Sequence, residues 1–322
     1  MKRKFLTLVS KLDIILMPLT LLSSLVLAVI RRAGIERMPF SRRIFEIIGV
    51  FPISDHYYEP LYKTRGLKSL STDRQLPGIN FNENKQIELL AKFTFQDELR
   101  QIPRLNQKDY GVHYSYDNGS FGSGDSEFLY NMVRYYKPKR ILEVGSGAST
   151  LMVKNALLKN ESEDGGYKCD HICIEPYEAP WLEELGVKVK RQRVEEVDKE
   201  LFVSLEAGDI LFIDSSHVIR PQGDVLFLYL EIIPSLQPGV LIHLHDVFTP
   251  RDYLDEWVVE QVKLWNEQYL LEALLSHNTK LEIIGALNFL KHHYPQEICH
   301  ACPILEKELS SREPGSFWLL KK

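Results

Sequence analysis

Four side chains in this 322-residue sequence have the types and spacing for acid–base or metal chemistry. Asp214 and His217 stand three residues apart in "DILFIDSSHV", and His245 and Asp246 are adjacent in "LQPGVLIHLHDVF". Imidazole titrates near the working pH, so His217 or His245 is a candidate base for removing a proton from a hydroxyl acceptor. Asp214, His245 and Asp246 are equally a candidate ligand set for a divalent cation that draws in a hydroxylated substrate. A histidine suits Mg²⁺ poorly, because that ion favours oxygen ligands, and this tilts the choice toward the histidine base. The competing roles are caps, His217 at the start of a following helix and Asp246 in the turn after its strand.

A second group of residues forms a binding turn. "RILEVGSGAST" (Arg140 to Thr150) is an apolar run closing on Glu143, followed by Gly145, Ser146 and Gly147. Glycines let a backbone approach a ligand closely, since no Cβ intervenes. A phosphate loop would need a Gly-Lys-Ser/Thr ending, which is missing, and a dinucleotide turn would need a third glycine where Ser149 or Thr150 stands. Glu143 favours a cationic ligand over a pyrophosphate. Glu175, ending the run "CIEPY", is placed to accept hydrogen bonds from both hydroxyls of a ribose. An acidic, nucleoside-shaped site fits S-adenosyl-L-methionine, whose sulfonium and amino groups are cationic and which carries no phosphate.

These residues need strand ends to hold them, and the chain supplies seven short apolar runs. "RILEVG", "HICIEP", "VKVKRQ", "DILFID", "VLIHLHD", "KLEIIGAL" and "SFWLLKK" alternate with helical or loop stretches. That order predicts an α/β fold, a doubly wound, mostly parallel seven-stranded sheet with right-handed crossovers. In such a sheet the carboxyl ends of the strands share one rim, so Asp214, His217, His245 and Asp246 are expected to face one pocket. "SGDSEFLYNMVRYYKPKR" reads as a capped helix, and "ENKQIELLAKFTFQDELRQI" as one amphipathic helix. "DEWVVEQVKLWNEQYLLEALLSH" reads as the longest helix of this domain; Trp265 and Tyr269 there serve packing, with Asn266 and Glu267 as minor site candidates.

From about Gly122 to Lys322 the sequence resembles the class I S-adenosylmethionine-dependent methyltransferases. "ILEVGSGAST" resembles their first motif, "CIEPY" their acidic second and "DILFIDSSHV" their fourth, and "LQPGVLIHLHDVF" is similar to the segment around their fifth strand. The set Asp214, His217, Asp224, His245 and Asp246 looks like the branch that pairs DxxH with a later HD. The resemblance implies a cofactor site at Glu143, Gly145, Ser146, Gly147, Glu175 and Asp214, and O-methylation of a sugar, glycan or lipid-linked acceptor. Two rivals stand beside it: a nicotinamide-dependent oxidoreductase on a similar sheet, and a non-catalytic scaffold with this fold.

Bulk composition narrows the classes further. A net charge of -5 with no basic stripe argues against a nucleic-acid partner. Four cysteines make no disulfide framework, and the pair in "CHAC" lacks the second pair of a structural zinc site. "IILMPLTLLSSLVLAVI" (Ile14 to Ile30) is uncharged between basic flanks and is followed by Arg31-Arg32 in place of a small-x-small cleavage site. Its seventeen residues reach roughly 25 Å as a helix, the short edge of a membrane span. The expected organisation is a hydrophobic anchor and membrane-proximal segment over residues 1–64, a linker and helical cap over 65–121, and the methyltransferase-like domain over 122–322. "HYYEPLY" (His56 to Tyr62) is an aromatic stretch that packs the extension or lines the acceptor pocket.

Overall fold

The structure is a computed structural model that describes residues 2–105, 112–177 and 179–322, with side chains from residue 11. It divides into two compact units, Met1–Lys68 and Ser69–Lys322.

The first unit opens with helix α1 (Lys2–Ala33), which is longer than the uncharged run alone. Its stretch Lys11–Ala33 runs for 23 residues, or about 34 Å of helix, and contains an 18-residue window of mean hydropathy 2.3. By length and composition it can cross a membrane. Helix α2 (Pro39–Ile48) follows after a short turn at Ile35–Arg37.

The second unit is built on the seven expected strands: β1 (Arg140–Val144), β2 (Asp170–Ile174), β3 (Lys188–Lys190), β4 (Ile210–Ile213), β5 (Leu241–Leu244), β6 (Leu281–Ala286) and β7 (Phe317–Lys321). Their order is β3-β2-β1-β4-β5-β7-β6. The first five run parallel, and β7 lies antiparallel between β5 and β6. Side chains alternate along each strand, so the register sorts them into two buried faces. Ile141, Ile210, Phe212, Leu241 and Trp318 pack on one face against helices α3 (Asp125–Tyr136) and α4 (Ala148–Glu163). Leu142, Val144, Leu211, Ile213, Ile242 and Leu244 fill the other, against Val225, Tyr229 and Ile233.

Two helices expected to be continuous are broken, each by a side chain with a stronger tertiary partner. The first divides into Glu83–Leu90 and Gln96–Gln101, because Phe93 turns into the core edge-on to Phe128 at 5.3 Å. The second, expected over 255–277, has one turn at Glu256–Glu260 and resumes only at Glu267–Leu275. Between them Val262 takes a φ of 51°, which β-branched residues rarely adopt. The Lys263 ammonium sits 4.1 and 3.8 Å from the ring centroids of Trp257 and Trp265. The break has a consequence for the site, since it starts the second helix at Glu267.

Candidate active site

The strand order reverses between β1 and β4, and a cleft of about 940 Å³ opens there at the carboxyl ends of the strands. Gly145, Ser146, Gly147, Glu175 and Asp214 all line it. Gly145 has a φ of +77°, and a Cβ there would lie 1.8 Å from the Asp214 carbonyl oxygen, so only glycine fits between the two strand ends. Glu175 is buried; one carboxylate oxygen accepts the Ser146 N–H at 3.2 Å and the other the Tyr177 N–H at 2.9 Å. That fixes the carboxylate against the turn. The hydroxyls of Ser146 and Ser215 are buried at the cleft wall and make no hydrogen bond within the protein.

Glu143 behaves differently from the other candidates. Strand alternation sets it on the α4 face, fully buried and away from the cleft lining. One of its oxygens accepts the Ser149 and Thr150 hydroxyls at 2.6 and 3.0 Å; the other lies 2.7 Å from His171 Nε2. Thr150 in turn accepts the Gly147 N–H at 3.1 Å. Glu143 therefore holds the glycine turn from beneath and does not touch what lies in the cleft.

At the neighbouring rim the four polar candidates converge. His217 Nε2 lies 3.3 Å from Asp214 and 3.4 Å from Asp246, while His245 Nδ1 lies 3.5 Å from Asp214 and 3.4 Å from Asp246. Each imidazole thus faces both carboxylates at distances beyond an ordinary N–H···O bond. His217 and Asp246 both have positive φ, 59° and 58°, and such non-glycine conformations collect at functional sites. Two further acids complete the cluster. Glu267 lies 2.7 Å from His217 Nδ1, and Asp125 lies 3.8 Å from His245 Nε2.

The broken helix explains the Glu267 contact. The backbone N–H groups of Asn266 and Glu267 donate to the His217 carbonyl at 3.0 and 3.2 Å, and the Asn266 side chain accepts the Ile219 N–H at 2.6 Å. The loop after β4 is thereby clamped to a helix N-terminus. Asp224, outside this cluster, caps the same loop through Ser216, accepting its N–H and its hydroxyl at 2.7 Å each.

Electrostatics follow from the count of four carboxyl groups to two imidazoles. Burial pulls the His217 pKa down, but Asp214 and Glu267 outweigh it and bring it up to about 10. His245 is also raised, burial being outweighed by Asp246 and Asp214. Asp214 is lowered against its burial by His245 and His217. Asp246 moves the other way: burial, Asp214 and Asp125 hold it above the usual carboxylate range despite the two histidines. Negative charge is in excess here, and Asp214, His217 and Asp246 can bring one ligand atom each to within 4.8 Å of the others. His217 thus takes the third place expected for His245. Glu267 and Asp125 had little or no sequence signal, because their partners lie 50 and 120 residues away.

Residues 142–247, from β1 to just past His245–Asp246, match the family described as "Methyltransferase domain". An Archaeoglobus fulgidus protein described only as uncharacterized is 26% identical over 178 residues, 51% of this chain and 78% of that one. Among solved structures, an O-methyltransferase from Bacillus cereus in complex with SAH aligns with a TM-score of 0.36 at 12% identity, covering 74% of this chain and 91% of that one. The apo structure of CmcI-N160 aligns with a TM-score of 0.36 at 14% identity, covering 70% and 83%. The segment that matches the methyltransferase-domain family carries the glycine turn, Glu175 and Asp214 of this cleft. Outside the matched segment the described residues include one long apolar helix near the N-terminus.

Proposed function

We propose that the protein transfers a methyl group from S-adenosylmethionine to an oxygen of a hydroxylated acceptor, a sugar, glycan or lipid-linked molecule, at a membrane surface. The observation that carries this reading is the shared position of Asp214, which lines the donor cleft and also contacts both histidines of the adjoining cluster. A hydroxyl seated on the cluster would therefore face the donor's methyl group. In the transfer the acceptor oxygen forms the C–O bond as the C–S bond breaks. The electron pair returns to sulfur, and the hydroxyl proton leaves to a base.

The donor set suits S-adenosylmethionine: Glu175 for the ribose, the Gly145–Gly147 backbone for close approach, and two hydroxyls that lack protein partners. The interposed antiparallel β7 departs from the 3-2-1-4-5-6 order of dinucleotide-binding sheets, which weighs against the nicotinamide alternative. Asp214, His217 and Asp246 would hold a divalent cation, which when bound supplies a Lewis acid that makes a hydroxyl nucleophilic. With an imidazole among the ligands, Mn²⁺ or Zn²⁺ fits better than Mg²⁺. Glu267 holds His217 Nδ1, leaving Nε2 toward the cluster. The histidine-base alternative asks for a neutral imidazole, and both imidazoles sit between carboxylates that favour the protonated form.

Helix α1 supports membrane attachment, and the catalytic unit would face the cytosol, where the methyl donor is made. Calorimetric titration of the full chain with S-adenosylmethionine, its demethylated product and NAD tests the donor. Binding of the first two is expected, and no binding at millimolar concentration removes the proposal. Asp246→Asn should lower turnover about a hundredfold or more with donor affinity retained. EDTA should abolish activity and Mn²⁺ restore it; activity untouched by EDTA but falling with pH would return the role to a histidine. Absent donor binding and methyl transfer, with Asp214 and Asp246 replaceable without effect on the protein's function, would leave only a scaffold.

A further inference from the structure

Helix α2 has an apolar face with no protein partner among the described residues. Phe40, Ile44, Ile47 and Ile48 recur at i, i+4, i+7 and i+8 and are 86%, 53%, 71% and 66% exposed. The opposite face carries Arg42 and Glu46, paired at 2.9 Å. A helix with so clean a division, left uncovered over ten residues, has its apolar side matched to something other than water.

The surroundings identify that medium. Residues 31–48 contain Arg31, Arg32, Arg37, Arg42 and Arg43 against Glu36 and Glu46, five cations to two anions. The segment after α2 returns to the end of α1: Arg31 pairs with Glu59, and its guanidinium lies 5.1 Å from the Phe51 ring centroid. Phe51 also meets Phe45 of α2 edge-on at 6.0 Å. Helix α2 is thus held at both ends beside the carboxyl end of α1. Tyr57 and Tyr58, 91% and 85% exposed, sit in the same returning segment, and aromatic residues of this type favour the membrane–water boundary.

We infer that α2 is an interfacial helix that lies in an anionic phospholipid surface. Its apolar face is seated at the boundary between acyl chains and headgroups, and its arginines lie among the lipid phosphates. This inference rests on the reading of α1 as the membrane anchor. Its consequence is a second point of attachment beside α1 within the first unit, and it marks the leaflet on which the acceptor would be met.

The test is carried out on the full chain in vesicles of equal parts phosphatidylcholine and phosphatidylglycerol. Single variants Ile47→Cys, Glu46→Cys and Leu25→Cys are treated with a charged maleimide during freeze–thaw, so that both leaflets are sampled. Peptide mass spectrometry separates each label from the four native cysteines. Donor binding checks that each variant is folded. The expected result is loss of labelling at Ile47→Cys and Leu25→Cys, with Glu46→Cys fully labelled. Labelling of Ile47→Cys as fast as Glu46→Cys, with Leu25→Cys protected, overturns the interfacial helix and leaves the anchor standing. Labelling at Leu25→Cys removes the anchor itself. Protection of both α2 positions, or protection at Ile47→Cys that fades as lipid is added in excess, assigns the face to protein contact and also overturns the inference.

Discussion

Replacing Gly145 by alanine should separate the packing role of the glycine turn from its ligand role. The added Cβ would lie 1.8 Å from the Asp214 carbonyl oxygen, against at least 3.4 Å for ordinary contact, so the two strand ends must part by about 1.6 Å (3.4 − 1.8). Both ends are tied to their neighbours. Gly145 N donates to the Ile174 carbonyl at 3.0 Å and Asp214 N to the Val144 carbonyl at 2.9 Å. A left-handed alanine costs about 1–2 kcal/mol, and overpacking of this kind about 1–3 kcal/mol more. The sum, about 2–5 kcal/mol, corresponds to a melting temperature lower by roughly 5–15 °C for a unit of this size. Any shift also carries Asp214 away from both histidines, so donor affinity should fall at least about tenfold together with stability. Gly147→Ala is the control, since a Cβ there meets nothing within 4 Å. It should leave the melting temperature within about 1 °C while weakening the donor, because Gly147 lines the cleft and an added methyl group takes up open space there. Thermal unfolding and calorimetric titration of the full chain in detergent read both quantities. A Gly145→Ala protein with unchanged melting temperature and affinity would refute the close approach. Equal affinities for Gly147→Ala and the parent would refute the position of the donor.

Other outcomes follow from the same contacts. Glu267→Gln keeps the size of the side chain but removes the charge beside His217 Nδ1; turnover should drop about 10–100-fold with donor affinity unchanged, as read by steady-state kinetics and titration. Glu143→Ala leaves His171, Ser149 and Thr150 without their shared partner and should cost about 3–5 kcal/mol in urea unfolding, far more than loss of an exposed acid. Glu313 bears on pH. Burial would raise it, but His292 and Lys291 outweigh that and hold it at about 2. A depressed acid stabilises above its unfolded value of 4.5 and loses that contribution as pH falls toward 2, so Glu313→Gln should flatten the acid limb of the stability curve below about pH 4.5.

The strands were legible because each is a short apolar run, and a parallel sheet buried on both faces demands such runs. The rim carrying Asp214, His217, His245 and Asp246 was legible for a related reason: strand ends in this architecture converge whatever lies between them. Helix continuity was not legible. Periodicity reports the face a helix would bury, but Phe93 is drawn out of helix by Phe128, a partner 35 residues away, and the Trp257–Lys263–Trp265 stack closes within its own segment at spacings a helix does not bring together. Glu143 shows a finer limit. One step along a strand reverses the direction of a side chain, so an acid next to a binding turn serves the turn from below instead of the ligand from the side.

The position of β7 has a consequence for how the enzyme is made. It is last in chain order yet lies between β5 and β6, so neither strand has its neighbour until Phe317–Lys321 has left the ribosome. The 72 residues between the end of β5 and the start of β7 (316 − 244) take roughly 4–15 s to translate. During that interval β5, which leads into His245 and Asp246, presents an open edge, and such edges recruit other chains. Closure of the sheet and completion of the rim that carries His245 and Asp246 would then be a single late event.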